Sequence, residues 1–124
     1  MADGGSYKDL IVWQKSIQLV KKIYLASSVF PNDEKFGLTA QIRRAAVSVP
    51  SNIAEGQARR TTGDYIRFVS TAEGSLAEAE TQLIIAIELN YVSKEQANAC
   101  FELMLEIRKM LNGLRRSLVT KSNA

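Results

Sequence analysis

The 124-residue sequence contains no histidine, and this absence narrows the range of functions. Histidine is the usual general base near neutral pH and the commonest metal ligand in proteins. The chain also lacks a glycine-rich phosphate-binding motif of the P-loop or dinucleotide type. We therefore expect a protein that is not an enzyme and that binds no cofactor and no metal.

Cysteine and long apolar runs are scarce as well. Cys100 is the single cysteine, so the chain cannot form an intramolecular disulfide, and its apolar neighbours predict a buried thiol in a reduced compartment. No segment has the roughly 20 apolar residues in a row that a membrane-spanning helix needs. The small and polar residues 1–6 are not followed by the apolar run of a signal peptide. We expect a cytoplasmic protein that does not enter a membrane.

Helical periodicity is the strongest pattern in the chain. Two long segments carry seams whose members recur in alternating steps of four and three residues, which is typical of a helix in a bundle. The first seam is Tyr65, Val69, Ala72, Leu76, Ala79, Leu83, Ala86 and Asn90, and the second is Ala97, Cys100, Met104, Ile107, Leu111, Leu114 and Leu118. No segment alternates with the period of two that a strand requires. The pattern predicts an all-α protein.

Capping and turn residues divide the chain into four predicted helices. Asp9 is a candidate N-cap for the first, Thr61 or Thr62 for the third, and Ser93 with Gln96 forms a capping box for the fourth. The predicted helices span about 9–29, 37–57, 62–90 and 93–118. Their short connections predict an antiparallel up-down-up-down four-helix bundle over residues 9–118, with flexible termini at 1–8 and 119–124.

Pro50 lies inside the apolar stripe of the second predicted helix. A proline in a helix interior costs about 3 kcal/mol, because it removes a backbone donor and crowds the carbonyl four residues earlier. Helical spacing nevertheless continues through the proline at Leu38, Ile42, Ala45, Val49 and Ile53. This continuity favours one helix kinked at Pro50 over two helices joined by a loop.

Two further features of the pattern concern packing between helices and between copies. The alanines in the seam of the third predicted helix, with Gly74 nearby, favour a close approach of another helix. The first helix carries two apolar seams, and the fourth is widened by Leu103, Met110, Phe101 and Leu105. This extra apolar width predicts a face on which the protein associates with copies of itself.

The best candidate for an anion-binding patch is the pair Arg59 and Arg60, which lies close to Arg67 along the chain. The alternative interpretation is a solvated helix end in which Arg59 pairs with Glu55 four residues earlier. The fourth helix carries a second basic group, Arg108, Lys109, Arg115, Arg116 and Lys121. These residues either complement the helix dipole or add to a phosphate-binding surface in a ring of subunits.

Glu73 and Glu80 lie seven residues apart on one face of the third helix, as carboxylates do when they hold a metal pair in a bundle. The di-metal sites of such bundles also need a Glu-x-x-His motif, which a chain without histidine cannot supply. We therefore expect these glutamates to form ion pairs with arginines such as Arg43 or Arg44.

Several strings of the sequence resemble one bacterial family of four-helix-bundle proteins, which is encoded within intervening sequences of large-subunit ribosomal RNA genes. The strings are DLIVWQKS from Asp9, FGLTAQIRRAAVSVPSNIAEG from Phe36, DYIRF from Asp64, GSLAEAETQL from Gly74 and LNGL from Leu111. The resemblance implies a cyclic homopentamer with no known catalytic activity. The accessory variability determinant of diversity-generating retroelements resembles the same family, and by analogy it implies a basic pentamer that binds nucleic acid and a protein partner.

Two hypotheses about function follow. In the first, a non-catalytic, homo-oligomeric bundle binds RNA, DNA or a ribonucleoprotein through Arg43, Arg44, Arg59, Arg60 and Arg67, with Glu55 orienting an arginine. In the second, the protein is a scaffold for protein partners, and its arginines serve only assembly.

Overall fold

The computed structural model describes residues 6–123, and within this range the chain is helical with no strand. Four long helices form the fold: α1 spans Ile11–Ser27, α2 Leu38–Gln57, α3 Thr62–Glu88 and α4 Lys94–Ser122. Short 3₁₀ helices at Tyr7–Asp9 and Asn32–Glu34 precede α1 and α2. The predicted all-α, four-helix fold is confirmed.

The observed helix bounds differ from the predicted ones mainly at the two termini. Asp9 ends a 3₁₀ helix and Leu10 is the N-cap of α1, so α1 begins two residues later than expected. Of the segment predicted to be flexible, residues 1–5 lie outside the described residues, and the ring of Tyr7 packs 5.3 Å from that of Trp13. At the other end α4 continues to Ser122, through most of the predicted tail of 119–124, while Ala124 lies outside the described residues.

Local signals in the sequence explain where α3 and α4 begin and end. The Thr61 hydroxyl accepts a hydrogen bond from the Asp64 amide, and Ser93 and Gln96 form the predicted capping box. Asn90 follows α3 with φ 62°, and the amides of Asn90 and Tyr91 donate to the carbonyls of Ile87 and Ala86. This is a Schellman motif, in which an asparagine takes the left-handed conformation that usually falls to glycine.

The helices contact one another in chain order around the bundle. Among the described residues α1 packs closely against α2 and α4, and α3 against α2 and α4, whereas no Cα atoms of the pairs α1–α3 and α2–α4 come within 8 Å of each other. Arg108 pairs with Glu80 and Arg115 with Glu73, so α3 and α4 run in opposite directions. The predicted up-down-up-down order agrees with this pattern of neighbours, and the complete topology stays a prediction.

The helix α2 continues without a break through Pro50, as predicted, and the size of the kink there stays a prediction. Ile42, Val49 and Ile53 are fully inaccessible to solvent. Pro50, which lies among them on α2, is buried as well. Burying a side chain of this size contributes about 1.5–3 kcal/mol. The packing of this stripe is therefore large enough to offset the cost of the proline.

A hydrogen-bonded cluster ties the α1–α2 connection to the α3–α4 connection. One Glu34 oxygen accepts from the Leu38 amide at the start of α2 (2.9 Å), and the other accepts from the Tyr91 hydroxyl (2.8 Å). The Tyr91 ring also packs 5.8 Å from that of Phe30. The Leu38 amide and, to a smaller extent, the Tyr91 hydroxyl lower the pKa of Glu34, because both hydrogen bonds favour its charged form.

Replacing Leu111 with alanine should lower the free energy of unfolding by about 2–5 kcal/mol, because Leu111 is fully buried in the α4 seam. Urea unfolding followed by circular dichroism measures the change. Leu25→Ala is the control, since the Leu25 side chain is 73% exposed and its loss should change stability by less than about 0.5 kcal/mol. Equal effects of the two variants would contradict the assignment of the core.

Tyr91→Phe should destabilise the fold in a way that depends on pH. The pKa of Glu34 is lower in the folded protein than its unfolded value of about 4.3, so its carboxylate stabilises the fold above that pH and loses the effect as the pH falls through the folded pKa. The difference in thermal midpoint between wild type and Tyr91→Phe should thus be largest at neutral pH and shrink in acid. Tyr24→Phe, whose hydroxyl has no hydrogen-bond partner among the described residues, should show no such dependence.

Candidate nucleic-acid interface

The fold separates the five predicted arginines into two groups. Arg43 and Arg44 lie in the first half of α2, whereas Arg59 and Arg60 follow its last residue and Arg67 lies in the first turns of α3. Arg44 and Arg59 are 15 positions apart in the sequence, which corresponds to about 20 Å along a helix. The structure therefore does not bring the five residues into one patch.

Arg43 is engaged within the subunit. Its Nε donates to the Ser27 hydroxyl at 2.8 Å and one Nη donates to the Tyr24 carbonyl at 3.2 Å, while the guanidinium lies 4.5 Å from the centre of the Tyr24 ring. These groups belong to the last turn of α1, where free carbonyls favour a cation. Arg43 thus holds the end of α1 against α2.

Arg44, one residue later, is exposed and makes no hydrogen bond or ion pair with the described residues. It borders an open groove of about 510 Å³ between α1 and α2. The groove is lined by apolar and basic side chains, among them Tyr24, Lys35, Phe36 and Val47. No acidic residue lines it.

The turn between α2 and α3 presents Arg59 and Arg60. The amides of Ala58 and Arg59 donate to the carbonyls of Ala54 and Gly56, and the hydroxyl of Thr61 then caps α3. At Gly56 the two helices are so close that an added Cβ would lie 2.7 Å from the Cβ of Phe68. A glycine at this position therefore allows the turn to be short and fixed.

The basic side chains of this turn differ in how far they are paired. Arg59 lies 3.4 Å from Glu55, which is the pairing of the alternative interpretation, and its guanidinium lies 4.6 Å from the centre of the Phe68 ring. Arg67 is 76% exposed at its side chain and pairs with Asp64. Arg60 is exposed and has no partner among the described residues.

The basic residues of α4 divide in the same way. Arg115 donates to Glu73 at 2.9 Å and to Asn112 at 2.7 Å, and Arg108 donates to Glu80. Glu73 and Glu80 thus form ion pairs, as predicted, but their partners are arginines of α4 and not Arg43 or Arg44. The reason is register, because residues one heptad apart on α3 face residues one heptad apart on the antiparallel α4.

Arg116 and Lys121 remain exposed and unpaired within the described part of the chain, in the half of the bundle that contains the α2–α3 turn: the Glu73–Arg115 pair places Arg116 level with the third turn of α3 and Lys121 level with its second turn. Lys8, in the 3₁₀ helix that contacts α2, is exposed in this half as well. Of the nearby acids Glu55 and Asp64 are paired with arginines, and Asp9 is unpaired. We call this surface the basic end; it comprises Lys8, Arg59, Arg60, Arg67, Arg116 and Lys121.

The described residues give little support to other kinds of site. No cluster of three or more histidine, cysteine or acidic side chains within residues 6–123 could hold a metal ion. None of the helices within residues 6–123 has the length and the hydropathy of a membrane span. Cys100 is buried at the edge of a cavity of about 250 Å³, and its burial raises the pKa of the thiol.

The sequence from residue 8 to residue 113 matches the family model described as 23S rRNA-intervening sequence protein. The chain belongs to this family. The resemblance drawn from the five sequence strings is thereby confirmed. None of the curated proteins matches the chain.

A solved structure similar to this member of the intervening sequence protein family comes from Bacteroides thetaiotaomicron VPI-5482. It is described as a protein with unknown function from the S23 ribosomal protein family. The two share 24% identity with a TM-score of 0.78, and the alignment covers 85% of this chain and 98% of the other. At this level of identity the similarity shows a common fold and no more.

Gly56→Ala should lower the free energy of unfolding by about 1–3 kcal/mol, since the new methyl group would force α2 and α3 apart beneath the basic end. Gly74→Ala is the matched control. A methyl group at Gly74 would meet no atom within 4 Å, so the expected close approach does not occur there, and alanine should stabilise α3 by about 0.5–1 kcal/mol. Chemical denaturation measures both changes, and a stabilising Gly56→Ala would contradict the close contact.

Proposed function

We propose that this protein is a non-catalytic, cytoplasmic homo-oligomer, with five subunits as the resemblance implies, that binds RNA at its basic end. The observation that supports this most directly is the pattern of pairing. Glu73, Glu80 and the Tyr24 carbonyl near the end of α1 each engage an arginine within the subunit, whereas Arg60, Arg116 and Lys121 are left exposed and unpaired in one half of the bundle. Unpaired cations on one surface are the electrostatic requirement for binding a phosphate backbone.

The aromatic residues near the basic end favour paired RNA over single strands as the ligand. Proteins that bind unpaired nucleotides offer exposed rings on which bases stack. Here the Phe68 ring is covered by Arg59, Tyr7 and Trp13 pack against each other, and Tyr65 packs against Gly56. The basic end thus offers charge beside rings that already pack within the subunit, which suits the backbone of a duplex read by shape.

In an oligomer each copy would contribute only a few phosphate contacts, and the total number of contacts over all copies would set the affinity. Linked sites raise the overall affinity without any new contact, provided that one RNA reaches several copies. The modest net charge of +3 per chain is then sufficient, because the unpaired cations lie together and repeat with every copy.

The rival hypothesis is a scaffold for protein partners whose arginines serve only assembly. Arg44, which lies in the first half of α2, favours the scaffold hypothesis, because this unpaired arginine lies beside an apolar groove. The two hypotheses differ in what the basic end does. Under the scaffold hypothesis the wild type does not bind RNA, and neither does a variant in which the charges of the basic end are reversed.

Fluorescence anisotropy with a labelled 20-base-pair RNA duplex over a salt series tests the proposal. The wild type should bind with an affinity that falls steeply with salt, and Arg60→Glu with Arg116→Glu should weaken binding at least tenfold and reduce the salt slope by about 1 per phosphate contact removed. DNA of the same sequence and the corresponding single strand complete the comparison.

Lys109→Glu is the control for this experiment, because Lys109 is exposed on α4 one heptad before Arg116, which is about 10 Å further from the α2–α3 turn. It should leave the affinity within about twofold of wild type. An absence of duplex binding at low salt, or an equal loss in the control variant, would contradict RNA binding at this surface.

A further inference from the structure

One apolar seam of α1 lies outside the core of the bundle. Whereas Leu19 of α1 is fully buried, a second seam runs beside it along the helix at steps of four, three and four residues. Its members are Trp13, Ile17, Val20 and Tyr24, of which the first three are only partly buried and Tyr24 is 44% exposed. A regular seam of this kind is the surface on which one helix packs against another, so α1 has room for a further helix.

This seam forms one wall of a continuous groove between α1 and α2. One part of the groove, of about 270 Å³, contains Trp13, and the other is the part of about 510 Å³ beside Arg44. The two parts meet at Val47, which lines both. The residues of α2 that line the groove extend from Thr39 to Ala54, which corresponds to about 22 Å along a helix. The groove is therefore long enough for a helix of about four turns.

The charges in the groove are all positive and lie in its wider part. Lys35, Arg43 and Arg44 line that part, whereas no charged residue of the described chain lines the part that contains Trp13. Arg43 donates only to neutral groups, and Lys35 and Arg44 form no ion pair with the described residues, so no carboxylate cancels these charges. Phe36, beside them, is 89% exposed. A molecule that fills the groove must thus bring apolar side chains along its length and negative charge at one end.

The exposed acids on the helices of this chain match the three cations poorly. Among the described residues, the unpaired acids of α3 are Glu78 and Glu88, which are ten positions or about 15 Å apart along the helix. The unpaired acids of α4 are Glu95 and Glu102, which are seven positions or about 10 Å apart. A helix of another copy would therefore bring one carboxylate at a time to the groove. A helix with two carboxylates within one turn matches the groove better.

We propose that the groove between α1 and α2 binds an acidic amphipathic helix of a different protein. The apolar side chains of that helix, which recur every three or four residues, pack on the seam of Trp13 and Tyr24, and its carboxylates pair with Arg44 and Lys35. This inference does not depend on the RNA-binding function. It gives a chemistry to the protein partner, which the scaffold hypothesis leaves open, and contacts between copies then use other faces of the bundle.

A designed peptide tests the proposal, because Trp13 is the single tryptophan of the chain and lies in the groove. The peptide is a helix of about 15 residues without aromatic side chains, with leucines at steps of three and four residues and two glutamates four residues apart near one end. Its binding should shift the fluorescence emission of Trp13 to shorter wavelength, because it covers a partly exposed ring. A second peptide with glutamines in place of the glutamates should bind at least tenfold more weakly.

Charge reversal in the protein provides the matching variants. Arg44→Glu with Lys35→Glu should weaken binding of the glutamate peptide at least tenfold, while helix content by circular dichroism stays unchanged because both side chains are exposed. A peptide with lysines in place of the glutamates should bind this variant at least tenfold more tightly than it binds the wild type. Lys109→Glu is the control and should stay within about twofold of wild type, since α4 does not line the groove.

Three results would overturn the proposal: an unchanged Trp13 emission, equal binding of the glutamine peptide, or an equal loss of affinity in Lys109→Glu. Sedimentation equilibrium shows whether another copy occupies the groove instead, with masses measured as multiples of the 13.7 kDa chain. If the peptide does not bind the wild type and the reversal of Arg44 and Lys35 lowers the mass of the assembly, the groove is a contact between copies and the proposal is wrong.

The RNA duplex separates this inference from the proposed function. Peptide binding that follows the charges of Arg44 and Lys35, with no duplex bound at low salt, would support the groove as a protein site and contradict RNA binding. Duplex binding that requires Arg60 and Arg116, without any peptide binding, would overturn this inference alone. A duplex that displaces the peptide and binds more weakly after reversal of Arg44 would also overturn it, because the groove would then belong to the RNA site.

Discussion

The close packing of α2 on α3 is the contact on which the rest of the structure depends. It is the most extensive contact between helices, and at Gly56 it leaves no room for a side chain. Only such packing keeps Pro50 inside a helix, because the proline costs about 3 kcal/mol and its neighbours Val49 and Ile53 recover that free energy only while they are buried. The turn that carries Arg59 and Arg60 leaves α2 directly after this contact, so its position follows from the same packing.

Intramolecular pairing determines which charges remain available to partners. Arg43 is used at the end of α1, and Arg108 and Arg115 are used by the glutamates of α3. The cations that remain unpaired lie in different environments: those of the basic end lie on exposed surface near other basic side chains, while Arg44 adjoins an apolar groove. The first environment matches the RNA-binding hypothesis, and the second matches the hypothesis of a protein partner.

Much of this fold could be predicted from the sequence, because the seams of α3 and α4 are regular and the capping box at Ser93 is a local signal. The pairing of Arg59 with Glu55 was equally local. Less predictable was the 3₁₀ helix at Tyr7–Asp9, since it is a single turn between the extended residues Ser6 and Leu10 and belongs to no helical seam. The partners of Glu73 and Glu80 were assigned wrongly, although the heptad spacing of Arg108 and Arg115 indicated the register. The division of the arginines into two groups follows from the helical rise alone. Whether a given arginine is paired with an acidic side chain can be seen only in the structure.

Hydrogen exchange of the native protein tests the dependence on the α2–α3 contact most directly. If that contact holds α2 together, the amides on both sides of Pro50, such as those of Val49 and Ile53, should exchange only through global unfolding, with the same free energy as the amides of Val69 to Ala79 in α3. Independent, low-energy exchange of the half of α2 that follows Pro50 would contradict the account.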